Sequence, residues 1–214
     1  GIAMVMRNDT IIYSHAFGVA DLQTMEPITD STLFNLSSAS KIFTTAALLK
    51  LAEEGRLSLD DSLSKYFPEF YHEIFDKITI RHILTHSSGL PDLRPRNQKE
   101  WIKYQASNHT VFALRKDYAL YGDEDEHILS FKNLTATEFE PGTHYERQDP
   151  AYILVAPLIE RITGMPFEEW MTANIFRPAG MKEAFYYTYE TELPKTAHAY
   201  RQATGKPSPL IFRS

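Results

Sequence analysis

Ser38-Ala39-Ser40-Lys41 has the form Ser-x-x-Lys and stands where a segment without helical periodicity runs into a long apolar one. Side chains three apart in a first helical turn share a face, with Cβ atoms about 5–6 Å apart, so the Lys41 amine is within reach of the Ser38 hydroxyl. A helix start also offers unpaired N–H groups and a partial positive charge, which favour a developing alkoxide or oxyanion. Desolvation favours the neutral form of an amine, the form that accepts a proton from a hydroxyl. Together these properties suit acyl transfer. The same residues also suit a plainer role, with Ser37 or Ser38 as an N-cap contributing about 1 kcal/mol and Lys41 turned to solvent.

The elements that would carry this pair are legible nearby. Ile42, Phe43, Ala46, Ala47, Leu49 and Leu51 recur at helical spacing between Ser40 and Glu54, and Gly55 offers a left-handed stop, which predicts a largely buried helix. Upstream, the alternating runs Ile2 to Met6 and Thr10 to Phe17 flank Asn8-Asp9 and predict a hairpin. A short helix is expected within Ile78 to His86, ending at Ser87-Ser88-Gly89. Further helices are expected at Ala151 to Thr163, closed by Gly164, and at Pro166 to Phe176 with Phe167, Trp170 and Ile175 on one side. Residues from about 94 to 140 are polar and weakly periodic and read as a variable helical or lid insertion. The tail from Glu192 reads as irregular. No repeat or linker divides the chain, so residues 1–214 are expected to form a single domain.

With 214 residues, 43% of them hydrophobic, the chain is long enough for a well-buried soluble globule. The net charge of −6 disfavours nucleic acid, and a small or uncharged substrate fits better; the expected partner is a small-molecule or peptide substrate. The absence of cysteine excludes disulfides, thiolate catalysis and Cys-ligated zinc. The longest apolar runs fall far short of the roughly 20 residues of a transmembrane helix, and Gly1 to Val5 does not read as a signal peptide.

Three separated stretches carry a family resemblance. Phe34 to Thr44, with Ser38 and Lys41 inside it, is similar to the nucleophile segment of the serine β-lactamase and penicillin-binding-protein superfamily. Leu57-Ser58-Leu59-Asp60-Asp61 through Tyr66-Phe67-Pro68-Glu69-Phe70, followed by Ile78 to Pro91, resembles a second landmark. Pro141-Gly142-Thr143, Tyr152-Ile153-Leu154 and Ile159 to Phe167 resemble a third. The resemblance implies an α+β fold, β-lactamase/transpeptidase-like, in which an antiparallel sheet is flanked by helices and joined by an all-helical lobe. It implies a serine hydrolase working through an acyl-enzyme on an amide, ester or β-lactam bond, with Ser38 and Lys41 as catalytic residues and no cofactor. It also points to the periplasm or cell envelope.

Two departures from the family pattern stand out. The family's Tyr-x-Asn register falls here on Arg147-Gln148-Asp149. Arginine remains protonated and cannot act as a base. Beside an amine it favours the neutral form, and it can equally pair with Asp149 and fill the cleft. Arg147 and Asp149 are therefore expected at the substrate-binding position, with an ordinary loop ion pair as the alternative. The family's third motif is also absent, since Lys195-Thr196-Ala197 matches it poorly and comes too early. The resemblance puts that strand and a C-terminal helix beyond Ser214, so the chain is expected to be truncated there, and by a helix at its N-terminus. These departures open a second reading, a degenerate relative that binds peptidoglycan-like or peptide ligands without turnover.

Other patterns carry less. His82 and His86 are the best-spaced histidine pair, but no third ligand accompanies them, and no metal is expected. The sequons at Asn35, Asn108 and Asn133 are not read as glycans. Asp123-Glu124-Asp125-Glu126 reads as a solvated loop. Trp101, Tyr104, Tyr118 and Tyr121 suit either a substrate cleft or ordinary packing.

Overall fold

Asn8 and Asp9 both take positive φ, 46° and 59°, and between them they reverse the chain from β1 (Ile2–Arg7) into β2 (Thr10–Ala16). Such a pair of left-handed residues matches the right-handed twist of the strands it joins. The strands pair antiparallel from Ile2 opposite Ala16 to Arg7 opposite Thr10, with a register shift between Val5 and Met6. The predicted hairpin is therefore present. The computed structural model describes residues 1–91, 131–147, 149–186, 195–203 and 206–210. Most of the expected insertion lies outside them, including Trp101, Tyr104, Tyr118, Tyr121 and the acidic run from Asp123.

The chain divides into two compact units. The first contains the hairpin, the segment to Ser37 and the C-terminal strands. In it, Lys195-Thr196-Ala197 runs beside Leu33, whose N–H donates to the Lys195 carbonyl (2.8 Å) and whose own carbonyl accepts from Ala197 (2.8 Å). The tail expected to be irregular instead forms a second antiparallel pair, β3 (Ala199–Ala203) and β4 (Lys206–Leu210). Pro207 and Pro209 hide β4 from a reading by propensity, yet a two-stranded pair tolerates residues lacking an N–H where the donor would face outward.

The second unit is helical and holds the main core. A 3₁₀ turn, Ser37–Ser40, leads into α1 (Lys41–Glu53). Gly55, at φ 70°, ends α1: its N–H donates to the Ala52 carbonyl (3.0 Å) and the Arg56 N–H to that of Leu51 (2.9 Å). These two hydrogen bonds close carbonyls the helix leaves open, and the left-handed geometry suits a residue without Cβ. The expected burial of α1 is corrected. Ala47, Leu48 and Leu51 are buried, whereas Ile42 and Leu49 are 70% and 49% exposed. The helix is apolar on two sides, and it packs one of them against the later helices of this unit.

Short helices α2 (Leu63–Tyr66), α3 (Ile74–Lys77) and α4 (Ile80–Leu84) follow. Thr79 caps α4 by accepting from the His82 N–H while His82 Nδ1 accepts from the Thr79 N–H, both at 3.3 Å. The reciprocal bonds satisfy donors that a helix start leaves unpaired. Phe70 stands between Phe67 and Phe75, at 5.0 and 4.5 Å between ring centroids, and all three are buried. Each such ring contributes about 1.5–3 kcal/mol through burial.

The single helix expected from Ala151 to Thr163 is divided into α5 (Asp149–Tyr152) and α6 (Val155–Thr163). Pro157 has no N–H to donate back to Ile153, so the ladder breaks at that point. The helix expected through Phe176 changes character as well. After α7 (Phe167–Met171) the chain widens into a π-helical turn, Thr172–Phe176, where the Arg177 N–H reaches the Thr172 carbonyl (3.0 Å). The Asn174 side-chain amide donates to the Trp170 carbonyl (2.9 Å) at the start of that turn. Phe167 and Trp170 are buried as their spacing predicts, and Ile175 packs against the same core. Helix α1 packs on α6 and on the π-helical turn, and α4 packs on α5.

Candidate active site

Ser38 lies in the 3₁₀ turn and Lys41 is the first residue of α1, so the two side chains rise from one continuous turn. Lys41 Nζ is 3.4 Å from Ser38 Oγ, the proximity expected from Ser-x-x-Lys. The turn lies at the amino end of a helix of 13 residues, where N–H groups have no intrahelical acceptor.

The other charged groups come from the far side of the sequence, along a backbone track. The Glu138 N–H donates to the Gly89 carbonyl (2.7 Å), the Gly142 N–H to that of Ser87 (2.8 Å) and the Glu146 N–H to that of His86 (3.0 Å). These bonds run residues 138–146 alongside residues 86–89 and deliver Arg147 and then α5 to the start of α1. Arg147 Nη2 donates to Ser38 Oγ at 2.9 Å, and its Nε donates to Asp149 Oδ1 at 3.1 Å. Asp149 Oδ1 also pairs with Lys41 Nζ at 3.1 Å. All four residues expected at the site are thus in one hydrogen-bonded cluster. Arg147 and Asp149 do form an ion pair, but the pair engages Ser38 and Lys41 and is not an isolated surface feature.

Tyr152 was legible only as an alignment landmark, and the structure makes it a wall of the site. Its ring centroid is 5.4 Å from Lys41 Nζ and 5.0 Å from that of His86. Its hydroxyl donates to the Leu84 carbonyl (2.9 Å) and lies 3.5 Å from Thr45 Oγ1. A signal that could have found it is spacing: Tyr152 follows Asp149 by three residues in α5, and Thr45 follows Lys41 by four in α1. His82 and His86 are not brought together as ligands. His82 closes the α4 cap, and the ring of His86 faces Tyr152 and Tyr145.

Partial burial alone would raise the Asp149 carboxyl, but hydrogen bonds from Arg147 and Lys41 outweigh it and hold the group below its ordinary value. It is a carboxylate at neutral pH. Lys41 and Asp149 side chains are 24% and 26% exposed, whereas Arg147 is 57% exposed, so the guanidinium is the most open of the three charged groups. With two cations and one carboxylate, the cluster is locally positive in a chain whose net charge is −6. Ser38 Oγ accepts from two charged donors, an arrangement that stabilises negative charge on that oxygen.

The beta-lactamase family model matches residues 1–212. The chain belongs to the beta-lactamase family. Among its relatives, penicillin-binding protein 4* of Bacillus subtilis is 30% identical over 188 residues, covering 87% of this chain and 38% of the relative. A D-aminopeptidase of Brucella anthropi is 33% identical over 184 residues, covering 86% and 32%. Among solved structures, EstCE1, a hydrolase with promiscuous acyltransferase activity, superposes with a TM-score of 0.79 at 25% identity over 97% of this chain and 53% of that one. The chain therefore spans about a third to a half of these relatives' lengths. Family membership and the α+β fold agree with the resemblance carried by the Ser38, Ile78–Pro91 and Pro141–Phe167 segments.

Among the described residues, no group of three or more His, Asp or Glu side chains is arranged to hold a metal ion, and no helix is long and apolar enough to cross a membrane.

Proposed function

We propose that this chain carries the nucleophilic half of a serine hydrolase that acts through an acyl-enzyme on an amide, ester or β-lactam bond. The observation that carries the reading is the 3.4 Å approach of Lys41 Nζ to Ser38 Oγ at the start of α1. Ser38 Oγ attacks the carbonyl carbon and passes its proton to Lys41. Collapse of the tetrahedral intermediate expels the leaving group, which takes that proton. Water then adds to the acyl carbon and releases Ser38. Lys41 accepts a proton only as the free amine, so its own proton goes first to solvent, while Asp149 Oδ1, a carboxylate 3.1 Å away, holds the Lys41 side chain in place. The relatives, a penicillin-binding protein and a D-aminopeptidase, support the class of bond. They also support a bacterial periplasm or envelope as the place of action, with a small-molecule or peptide substrate.

A second reading is favoured by a separate observation. Arg147, which has no counterpart role as a base, donates at 2.9 Å to the oxygen that would attack. That contact suits a degenerate relative which binds peptidoglycan-like or peptide ligands without turnover. Intact mass after exposure to a penicillin and, separately, a fluorophosphonate distinguishes the two. An adduct present on the wild type and absent from Ser38→Ala supports the hydrolase. A folded wild type that binds ligand saturably yet takes no label from either reagent supports the binding protein.

A further inference from the structure

We infer that Arg147 is an anion receptor, and that the molecules this site accepts carry a carboxylate or similar oxyanion close to the reacting carbonyl. The guanidinium offers a planar fork of donors, and only part of it is committed. Nε bonds Asp149 and Nη2 bonds Ser38 Oγ, while among the described residues nothing pairs with Nη1. The side chain is 57% exposed, so Nη1 and the outer edge of Nη2 can be met from solvent. An oxyanion at ordinary charge-assisted distance from that edge, about 2.8 Å, lies within about 7 Å of Ser38 Oγ. In a bound molecule this corresponds to a carboxylate two or three carbon atoms from the carbonyl under attack.

The same contact gives the anion a consequence for Ser38. A carboxylate that takes Nη1 and Nη2 side by side uses the second N–H of Nη2, so it sits beside Ser38 Oγ without displacing the bond from Arg147. Ser38 then keeps both Lys41 and Arg147 as donors, with the anion fixed next to the attacking oxygen. Asp149 is the internal competitor: it occupies Nε and neutralises part of the charge an incoming anion would feel. Arg147 therefore selects anionic molecules and positions Ser38. The kinetic consequence rests on the serine hydrolase reading, whereas the anion site itself does not.

The test uses glutarate against its neutral diamide, glutaramide, measured by calorimetry at low ionic strength. Wild type is expected to bind glutarate with a Kd in the millimolar range or tighter, and glutaramide about tenfold or more weakly. Arg147→Met should weaken glutarate about tenfold or more, and Arg147→Lys less, while Asp149→Asn should tighten it several-fold by removing the competitor. These opposite directions are not what a structural role for the pair would give. In parallel, the kcat/KM ratio of 4-nitrophenyl hydrogen glutarate to 4-nitrophenyl valerate should fall in Arg147→Met. Glutarate binding that is absent from wild type, or unchanged in Arg147→Met, overturns the inference. If neither ester shows turnover dependent on Ser38, the hydrolase reading falls and the binding measurements alone decide the anion site.

Discussion

Arg147 Nη2 lies 2.9 Å from Ser38 Oγ, across 109 residues of sequence. The same guanidinium holds Asp149, and Asp149 holds Lys41, so the serine oxygen is one member of a closed ring of four side chains. Each link changes what its neighbour can do, and the ring makes several outcomes measurable.

Replacing both departures from the family pattern, Arg147→Tyr with Asp149→Asn, removes the cationic donor on Ser38 and the carboxylate paired with Lys41. Labelling of Ser38 by a neutral fluorophosphonate should then run about tenfold or more faster than in the parent, as expected for loss of a charge-assisted hydrogen bond to the nucleophile. Time-resolved intact mass measures this. A slower double variant would show that Arg147 and Asp149 assist the attack.

Removing the nucleophile or its proton acceptor has a larger effect if the chain turns over an ester. Ser38→Ala should lower kcat by about three orders of magnitude or more, and Lys41→Met by a similar amount, because groups acting as a unit fail together. Steady-state hydrolysis of an activated ester checks both. Retention of most activity in either variant argues against the assigned roles.

Asp61 links stability to pH. Burial pushes its carboxyl up, but hydrogen bonds from Lys65, Tyr66 and the Ser58 N–H outweigh it and hold the group at about 2. Its value in the unfolded chain is about 3.9. The folded value is the lower one, so this stabilisation is complete above the unfolded value and is lost as pH falls through the folded value. Urea unfolding of wild type and Asp61→Asn should differ most above about pH 4 and converge towards pH 2. A constant gap across that range would contradict the assignment.

Gly89 and Gly55 both have φ of 70°, yet their surroundings differ. A Cβ on Gly89 would overlap the Phe139 carbonyl oxygen, whereas one on Gly55 meets nothing within 4 Å. Gly55→Ala should cost about 1 kcal/mol, the ordinary penalty of left-handed backbone. Gly89→Ala should cost more, and because Gly89 anchors the track that brings Arg147 to Ser38, it should also speed Ser38 labelling, in the same direction as loss of Arg147. Thermal melts alongside the labelling assay compare them.

Phe75 is fully buried against Phe70. Phe75→Ala should destabilise the helical unit by about 3–5 kcal/mol, through lost burial plus the cavity left behind. Chemical denaturation gives the value directly.

Much of this protein is local and therefore legible in its sequence. Ser38 and Lys41 meet because three residues of helical turn place them on one face. Asn8-Asp9 reverses the hairpin because both accept left-handed backbone, and Gly55 stops α1 for the same reason. Ordered agreement with the family in three segments also identified the fold. What the sequence left open is non-local. Whether Arg147 and Asp149 formed an idle surface pair or joined Ser38 and Lys41 depended on where residues 138–146 run. That path is set by backbone hydrogen bonds to residues 86–89, which leave no side-chain pattern to read. The side of α1 that is covered, and the placing of Tyr152 beneath Lys41, were decided in the same way. Both faces of that helix are apolar, and only packing against α6 and the π-helical turn distinguishes them.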